Sequence, residues 1–125
     1  MNTPSNLKYA KSDEWFDPST GKVGITDYAQ NQLSDIVFLE IFVEEGEEIA
    51  AGKAIASVES VKTSSEIYAP AGGKVSAVNK DVVNKPESIN TDPFGAAWMI
   101  QLEGGSEGDL MDASAYEKHC EERSH

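Results

Sequence analysis

The sequence predicts a mostly β fold, a sandwich or barrel of five or more short strands packed with one or two small helices and ending in a helical C-terminus. Three observations carry that expectation. Turn residues (Gly46, Gly52 and the Pro-Ala-Gly-Gly run at 70–73) recur at short intervals. Between them stand short runs rich in β-branched and aromatic residues, such as "DIVFLEIFV". Helix-forming composition gathers at the end of the chain, in "SEGDLMDASAYEKHCEERSH".

Taken in order, "LKYAKSDEWF" (7–16) mixes aromatics and charges as an outer strand does, and "DPSTGKV" (17–23) combines Asp-Pro with Thr-Gly as a hairpin turn, so two short strands open the chain. In "GITDYAQNQL" the Thr26 side chain is placed to accept from the next amides as an N-cap. Asp27 suits the positive end of a helix, and Leu33 lies near the end of about two turns. Residues 35–43 read as a strand with high burial. A turn at Gly46, a short strand at 48–50, a turn at Gly52 and a strand from 54 to about 59 follow. After Lys62 the pattern partly repeats, with a strand, a turn and a second strand ending at Asn79, so that two halves meet at the lysine. Residues 80–95, polar and proline-bearing, read as an ordered surface loop, and 97–104 as the last strand. Ser114 and Glu117 stand at capping-box spacing before a charged helix.

A chain of 125 residues suits one domain with one modest core. Acidic residues outnumber basic ones 22 to 10, for a net charge of −12, which disfavours nucleic acid and anionic membrane as partners. The sequence has no apolar run of membrane-spanning length, and "MNTPSNLKYA" resembles neither a secretory signal nor an arginine-rich transit peptide. Cys120 alone closes no internal disulfide, so a cytoplasmic location is expected, with a monomer as the default state.

An enzyme would need a nucleophile with a base, a metal cage or paired carboxylates in a cleft, and no convincing spacing of this kind is present. His119 and His125 lie with Cys120 in a C-terminal tail that reads as frayed, and adjacent side chains on a helix point apart, which argues against a metal site. "EGGSEGD" (103–109) lacks the context and the lysine of a phosphate-binding loop and reads as a plain loop. Lys62 stands out because strand-like runs flank it. With Glu59 and Glu66 nearby its ammonium form is favoured, which makes a Schiff-base role unattractive. A lysine at a hairpin tip projects beyond the backbone, where another enzyme can acylate it and so attach a cofactor.

"VESVK" followed by "TSSEIYAP" resembles the lipoyl-attachment hairpin of the glycine cleavage system H-protein family. "LKYAKSDEW", "VGITDYAQNQLSDIVF" and "INTDPFGAAWMI" extend the resemblance over nearly the whole chain. The stretch 23–38 separates this family from the shorter lipoyl domains of 2-oxoacid dehydrogenases, and Val61 and Thr63 replace the methionines that usually flank a biotinylated lysine.

The resemblance implies a barrel-sandwich hybrid of the lipoyl/biotinyl-carrier kind, one domain over 1–125, with the hairpin at about 54–70 and a helical tail at about 107–125. It implies lipoic acid attached as (R)-lipoyl-lysine at Lys62, with the amide removing one positive charge. The chain would then be a carrier, not an enzyme. It would move an aminomethyl group from the pyridoxal-phosphate glycine decarboxylase (P protein) to the tetrahydrofolate-dependent aminomethyltransferase (T protein), and its dithiol to dihydrolipoamide dehydrogenase (L protein). A lipoate ligase or a lipoyl or octanoyl transferase would load it. The location would be the bacterial cytoplasm, or the mitochondrial matrix for a mature eukaryotic chain.

Glu59 and Val61 would serve recognition of the hairpin, with loss of Lys62 abolishing function and loss of Glu59 only reducing it. Ser12, Glu14 and Glu66 would line a cleft that shields the loaded arm from water; the plain alternative is that they are exposed polar residues. Trp15, Phe38 and Trp98 read as core or sub-surface packing. The chain departs from the family pattern at Asp13, where His is usual, in the link "FLEIFVEEGEEI", and at Lys85-Pro86, where Asn-Pro is common. These departures keep open a related carrier serving a heterodisulfide-reductase-like sulfur-oxidation assembly or lipoate relay. A non-lipoylated interaction module and a stand-alone hydrolase complete the alternatives.

Overall fold

Residues 3–104 and 107–123 are described in the computed structural model. The stretch 7–16, expected as one outer strand before the turn, holds two strands. β1 (Lys8–Tyr9) and β2 (Glu14–Phe16) pair antiparallel across a tight corner, closed by Ala10 N donating to Glu14 O at 2.9 Å and Asp13 N to Ala10 O at 3.0 Å. The corner is possible because Asp13 adopts φ 77, a left-handed conformation that Asp tolerates better than most residues. The Asp17 turn then leads into β3 (Lys22–Ile25), where Gly21 at φ 83 is required, since a Cβ there would meet Leu102 O at 1.9 Å.

Helix α1 (Asp27–Leu33) forms as expected, its Thr26 cap accepting from Ala29 N at 3.1 Å. The next strand, β4 (Ile36–Ile41), does not have the expected high burial. A bulge between Ile36 and Phe38 breaks the two-residue alternation, so Val37 and Phe38 both face outward, 54% and 49% exposed. Phe38 is therefore not a core or sub-surface residue, whereas Trp15 is buried and Trp98 half-buried. β5 (Glu48–Ile49), β6 (Ala54–Ser60), β7 (Ser64–Tyr68), β8 (Gly73–Val78) and β9 (Ile100–Glu103) complete two antiparallel sheets, ordered β1-β2-β3-β9-β8-β5 and β4-β6-β7. β5 pairs with β8 and β6 with β7, so segments before and after Lys62 interlock in both sheets. The main core, including Leu39, Ile55, Val58, Val75 and Ile100, is sealed between them.

Residues 80–95 are not a loop. Asn79 caps α2 (Lys80–Asn84) by accepting from Asp81 N at 3.1 Å, and α3 (Ser88–Thr91) follows after Pro86. Val82 and Ile89 anchor these two short helices in the core, an apolar signal that the surrounding polar composition obscures. The C-terminal helix α4 (Ala113–Arg123) is capped by Asp112, whose Oδ1 accepts from Ala115 N at 2.8 Å; Ser114 lies inside the helix and is not the cap. Its Tyr116 and Cys120, four residues apart, form the buried stripe, so Cys120 does not sit in a frayed tail. Tyr116 stacks on Tyr9 with ring centroids 4.8 Å apart, in a second cluster with Leu7 and Trp15. His119 Nε2 lies 3.2 Å from Lys11 O, and His125 falls outside the described residues. In the 103–109 stretch Glu107 bridges to Ala71, and residues 105–106 are likewise outside them.

Candidate functional site

Strands β6 and β7 run as a hairpin whose turn carries Lys62. Ser60 shapes the tip. Its Oγ accepts from Lys62 N at 3.1 Å and Thr63 N at 3.0 Å, and its amide donates to Thr63 O at 2.8 Å. Val61 N donates to Asp35 O at 3.0 Å, fastening the tip to the approach of β4. The backbone is thus fixed while the Lys62 side chain is exposed, with Val61 beside it 68% exposed and Glu59 exposed in register with Ser64 and Phe38. Among the described residues the ion pairs are Lys53–Glu47 and Arg123–Asp13, so Lys62 has no carboxylate partner. An amine in this setting fits acylation: it is reachable, uncommitted and held on a rigid base.

Further along β7 the hairpin forms one wall of a cleft of about 120 Å³. Ile25, Leu33, Val58 and Ile67 give it an apolar floor, and Ser12, Glu14, Gln32 and Glu66 a polar rim. The three candidate cleft residues therefore converge, but in different states. Ser12 and Glu66 are exposed, whereas Glu14 is only 1% exposed. Glu14 Oε2 accepts from Tyr68 N at 3.0 Å and its Oε1 from the Ser12 hydroxyl. Burial outweighs those hydrogen bonds and pushes the Glu14 carboxyl up to about 7. Reading Glu14 as an ordinary exposed polar residue is thereby excluded. A larger open pocket at Val43, Glu44 and Lys80 contains none of these groups.

A family profile described as glycine cleavage H-protein matches residues 7–123. The chain belongs to the glycine cleavage H-protein family. The glycine cleavage system H protein of Deinococcus deserti is 52% identical over 118 residues, covering 94% of this chain and 97% of that protein. The one from Deinococcus radiodurans is 50% identical over 115 residues, with 92% and 94% covered. A crystal structure of a glycine cleavage system H protein from Mycobacterium marinum matches with TM-score 0.85 at 35% identity, covering 98% of this chain and 99% of that one. The fold is accordingly the barrel-sandwich hybrid expected from the sequence. Family members are lipoyl carriers within a multienzyme system, so the chain is a carrier component and not an enzyme. These relatives do not favour the sulfur-oxidation or relay alternative.

Among the described residues no cluster of His, Cys, Asp and Glu is arranged to hold a metal ion, and no helix is long and apolar enough to cross a membrane. Sequence reasoning missed three contributors to the site: Ser60, the Tyr68 amide, and the contact of Asp13 with Arg123. The Ser60–Thr63 spacing is a recognisable side-chain turn signal. Nothing local in the sequence links Asp13 to Arg123, 110 residues away.

Proposed function

We propose that this chain is the lipoyl-carrying shuttle of the glycine cleavage system, with lipoate joined to Nζ of Lys62. It would carry the aminomethyl group between glycine decarboxylase and the tetrahydrofolate-dependent aminomethyltransferase, and meet dihydrolipoamide dehydrogenase for reoxidation. The observation that carries the reading is the hairpin tip, where a fixed backbone presents an exposed lysine amine with no ion-pair partner among the described residues. When bound, lipoate supplies a reversibly reducible dithiolane at the end of a long flexible chain.

The protein's own residues do the remaining work. Ser60 holds the tip so that Lys62 meets each partner in one orientation. Glu59 and Val61 flank it as the recognition surface, and a lipoate ligase or a lipoyl or octanoyl transferase reads them during loading. The cleft excludes water from whatever enters it, through Ile25, Leu33, Val58 and Ile67. Glu14 holds a proton at its buried carboxyl up to about neutrality, and in its ionised form accepts hydrogen bonds from a cationic group. Glu66 and Ser12 offer further acceptors at the rim. We read 1–125 as one domain, acting as a monomer in the bacterial cytoplasm.

The test is glycine–bicarbonate exchange with purified glycine decarboxylase. It compares lipoylated protein, unlipoylated protein and Lys62→Ala, with intact mass confirming the attached group. Exchange that needs both lipoate and Lys62 supports the shuttle. Lack of exchange by fully lipoylated protein, where a known H protein succeeds in the same assay, refutes it.

A further inference from the structure

We propose that Arg123 is a positioning residue for the cleft: through Asp13 it fixes the corner from which Ser12 and Glu14 enter. The corner is strained, because Asp13 is a non-glycine residue at φ 77, and such a conformation persists only where surrounding contacts over-determine it. Those contacts come from α1 and α4. Asp13 O accepts from Thr26 N at 3.0 Å. Asp13 Oδ1 accepts from the Tyr116 hydroxyl at 2.9 Å, and Arg123 grips both carboxylate oxygens, with Nη1 to Oδ2 at 3.2 Å and Nη2 to Oδ1. A two-pronged guanidinium contact fixes direction as well as distance, which a lysine ammonium cannot do.

The same node reaches the other wall of the cleft. The Tyr116 hydroxyl lies 2.6 Å from Thr26 Oγ1, and that oxygen caps α1, the helix that supplies Ala29 and Leu33 to the cleft. The Arg123 guanidinium stands 4.6 Å over the Tyr28 ring, so α4 holds α1 by a second contact. Both the Ser12–Glu14 corner and α1 therefore hang from one hydrogen-bonded group whose outer anchor is Arg123. The Asp13 hydrogen bonds hold its guanidinium above even the usual arginine range, so the anchor is always charged.

This inference rests on the cleft reading above, and the two can fail separately. The first measurement is the titration of the Glu14 side-chain carboxyl by carbon-detected NMR, in unlipoylated wild type and in Arg123→Gln. The ionisable groups near Glu14 are Asp13 at its own corner and Glu66 and Tyr68 on β7, while Arg123 faces Asp13 from α4. Charge alone and positioning predict opposite signs. Losing a cation that neutralises Asp13 raises the Glu14 pKa, whereas releasing the corner lets water reach Glu14 and lowers it from about 7 toward its ordinary 4.5. A fall of about one unit or more is expected. A rise, or no change, overturns the proposal.

Arg123→Lys keeps the charge and loses the fork, and serves if Arg123→Gln does not fold; it is expected to lower the Glu14 pKa as well, and a wild-type value would overturn the proposal. Lys118→Gly weakens the same helix at an exposed position away from Asp13, and is expected to leave Glu14 at its wild-type value. An equal fall there would make Arg123 merely a helix stabiliser and would also overturn the proposal. The amide shifts of Ser65, Glu66 and Ile67 on lipoylation report the cleft reading separately. If they do not move in wild type, the arm does not use the cleft, whatever Arg123 does to Glu14.

Discussion

Replacing Glu14 by Gln isolates the cost of burying one carboxylate from everything else that titrates in a chain with 22 acidic residues. The group lies 1% exposed, and its pKa in the folded protein is raised from 4.5 to about 7. The folded state therefore holds this proton more tightly than the unfolded state does. The stability Glu14 contributes is fully present below about pH 4.5 and is lost as pH rises through about 7. A shift of about 2.5 units at 1.36 kcal/mol per unit gives a loss of about 3 kcal/mol, an upper figure because the cleft opens to solvent. Gln reproduces the protonated acid, since its carbonyl can accept from Tyr68 N and its amide can donate to Ser12 Oγ. Urea unfolding of wild type and Glu14→Gln, followed from pH 4.5 to pH 8 in steps, gives the difference in stability with the contributions of the other carboxylates cancelled. The variant is expected to gain on wild type by up to about 3 kcal/mol across that range, with most of the gain between pH 5 and 7. A difference that stays constant within about 0.5 kcal/mol, or that moves the other way, would refute the assignment of a buried, proton-holding Glu14.

Three further outcomes follow from the packing. A Cβ on Gly24 would lie 2.8 Å from the Trp15 indole nitrogen, so Gly24→Ala is expected to cost about 1–3 kcal/mol and to shift the tryptophan fluorescence as Trp15 loses its bond to Pro93 O. Leu39→Ala, at a fully buried position, is expected to cost about 2–5 kcal/mol in chemical denaturation, whereas Phe38→Ser one residue earlier changes stability by less than about 1 kcal/mol. Equal costs would mean that the bulge in β4 is misplaced. Ser60→Ala is expected to leave the melting temperature nearly unchanged, while loosening the tip and slowing enzymatic acylation of Lys62 as read by intact mass; unchanged acylation would show that Ser60 does not order the tip for loading.

The parts of the fold legible in the sequence were those specified locally. Thr26 announces its helix because an N-cap needs only its own side chain and the next amides, and turn residues and strand-forming runs mark the hairpin expected at about 54–70, which the structure forms at 54–68. The rest depended on partners distant in the chain. Composition predicts high burial for β4, but one bulged residue reverses which side chains face the core, and composition cannot reveal the register. Helices α2 and α3 look like loop in the sequence because Val82 and Ile89 stand among polar neighbours, and only the sheets they pack on make them core. At the site, Lys62 was conspicuous as a lone cation in a strand-turn pattern. The burial of Glu14 is invisible in the sequence, since it arises where β2 meets β7 of the hairpin, 54 residues away.

The clasp on the cleft also bears on the order in which the molecule assembles. The attachment hairpin joins neighbours, with Ser60 bonding to residues two and three positions away, so it can close early at small entropic cost. The bond between Asp13 and Arg123 spans 110 residues and is formed from a segment synthesised long after the corner it grips. The bonds that shape the lysine tip are drawn from residues 35–63, whereas the cleft corner lacks its outer anchor until residue 123 is in place. A loading enzyme that reads only the hairpin depends on none of the bonds to Asp13, whereas a step that needs the finished cleft depends on the docked last helix.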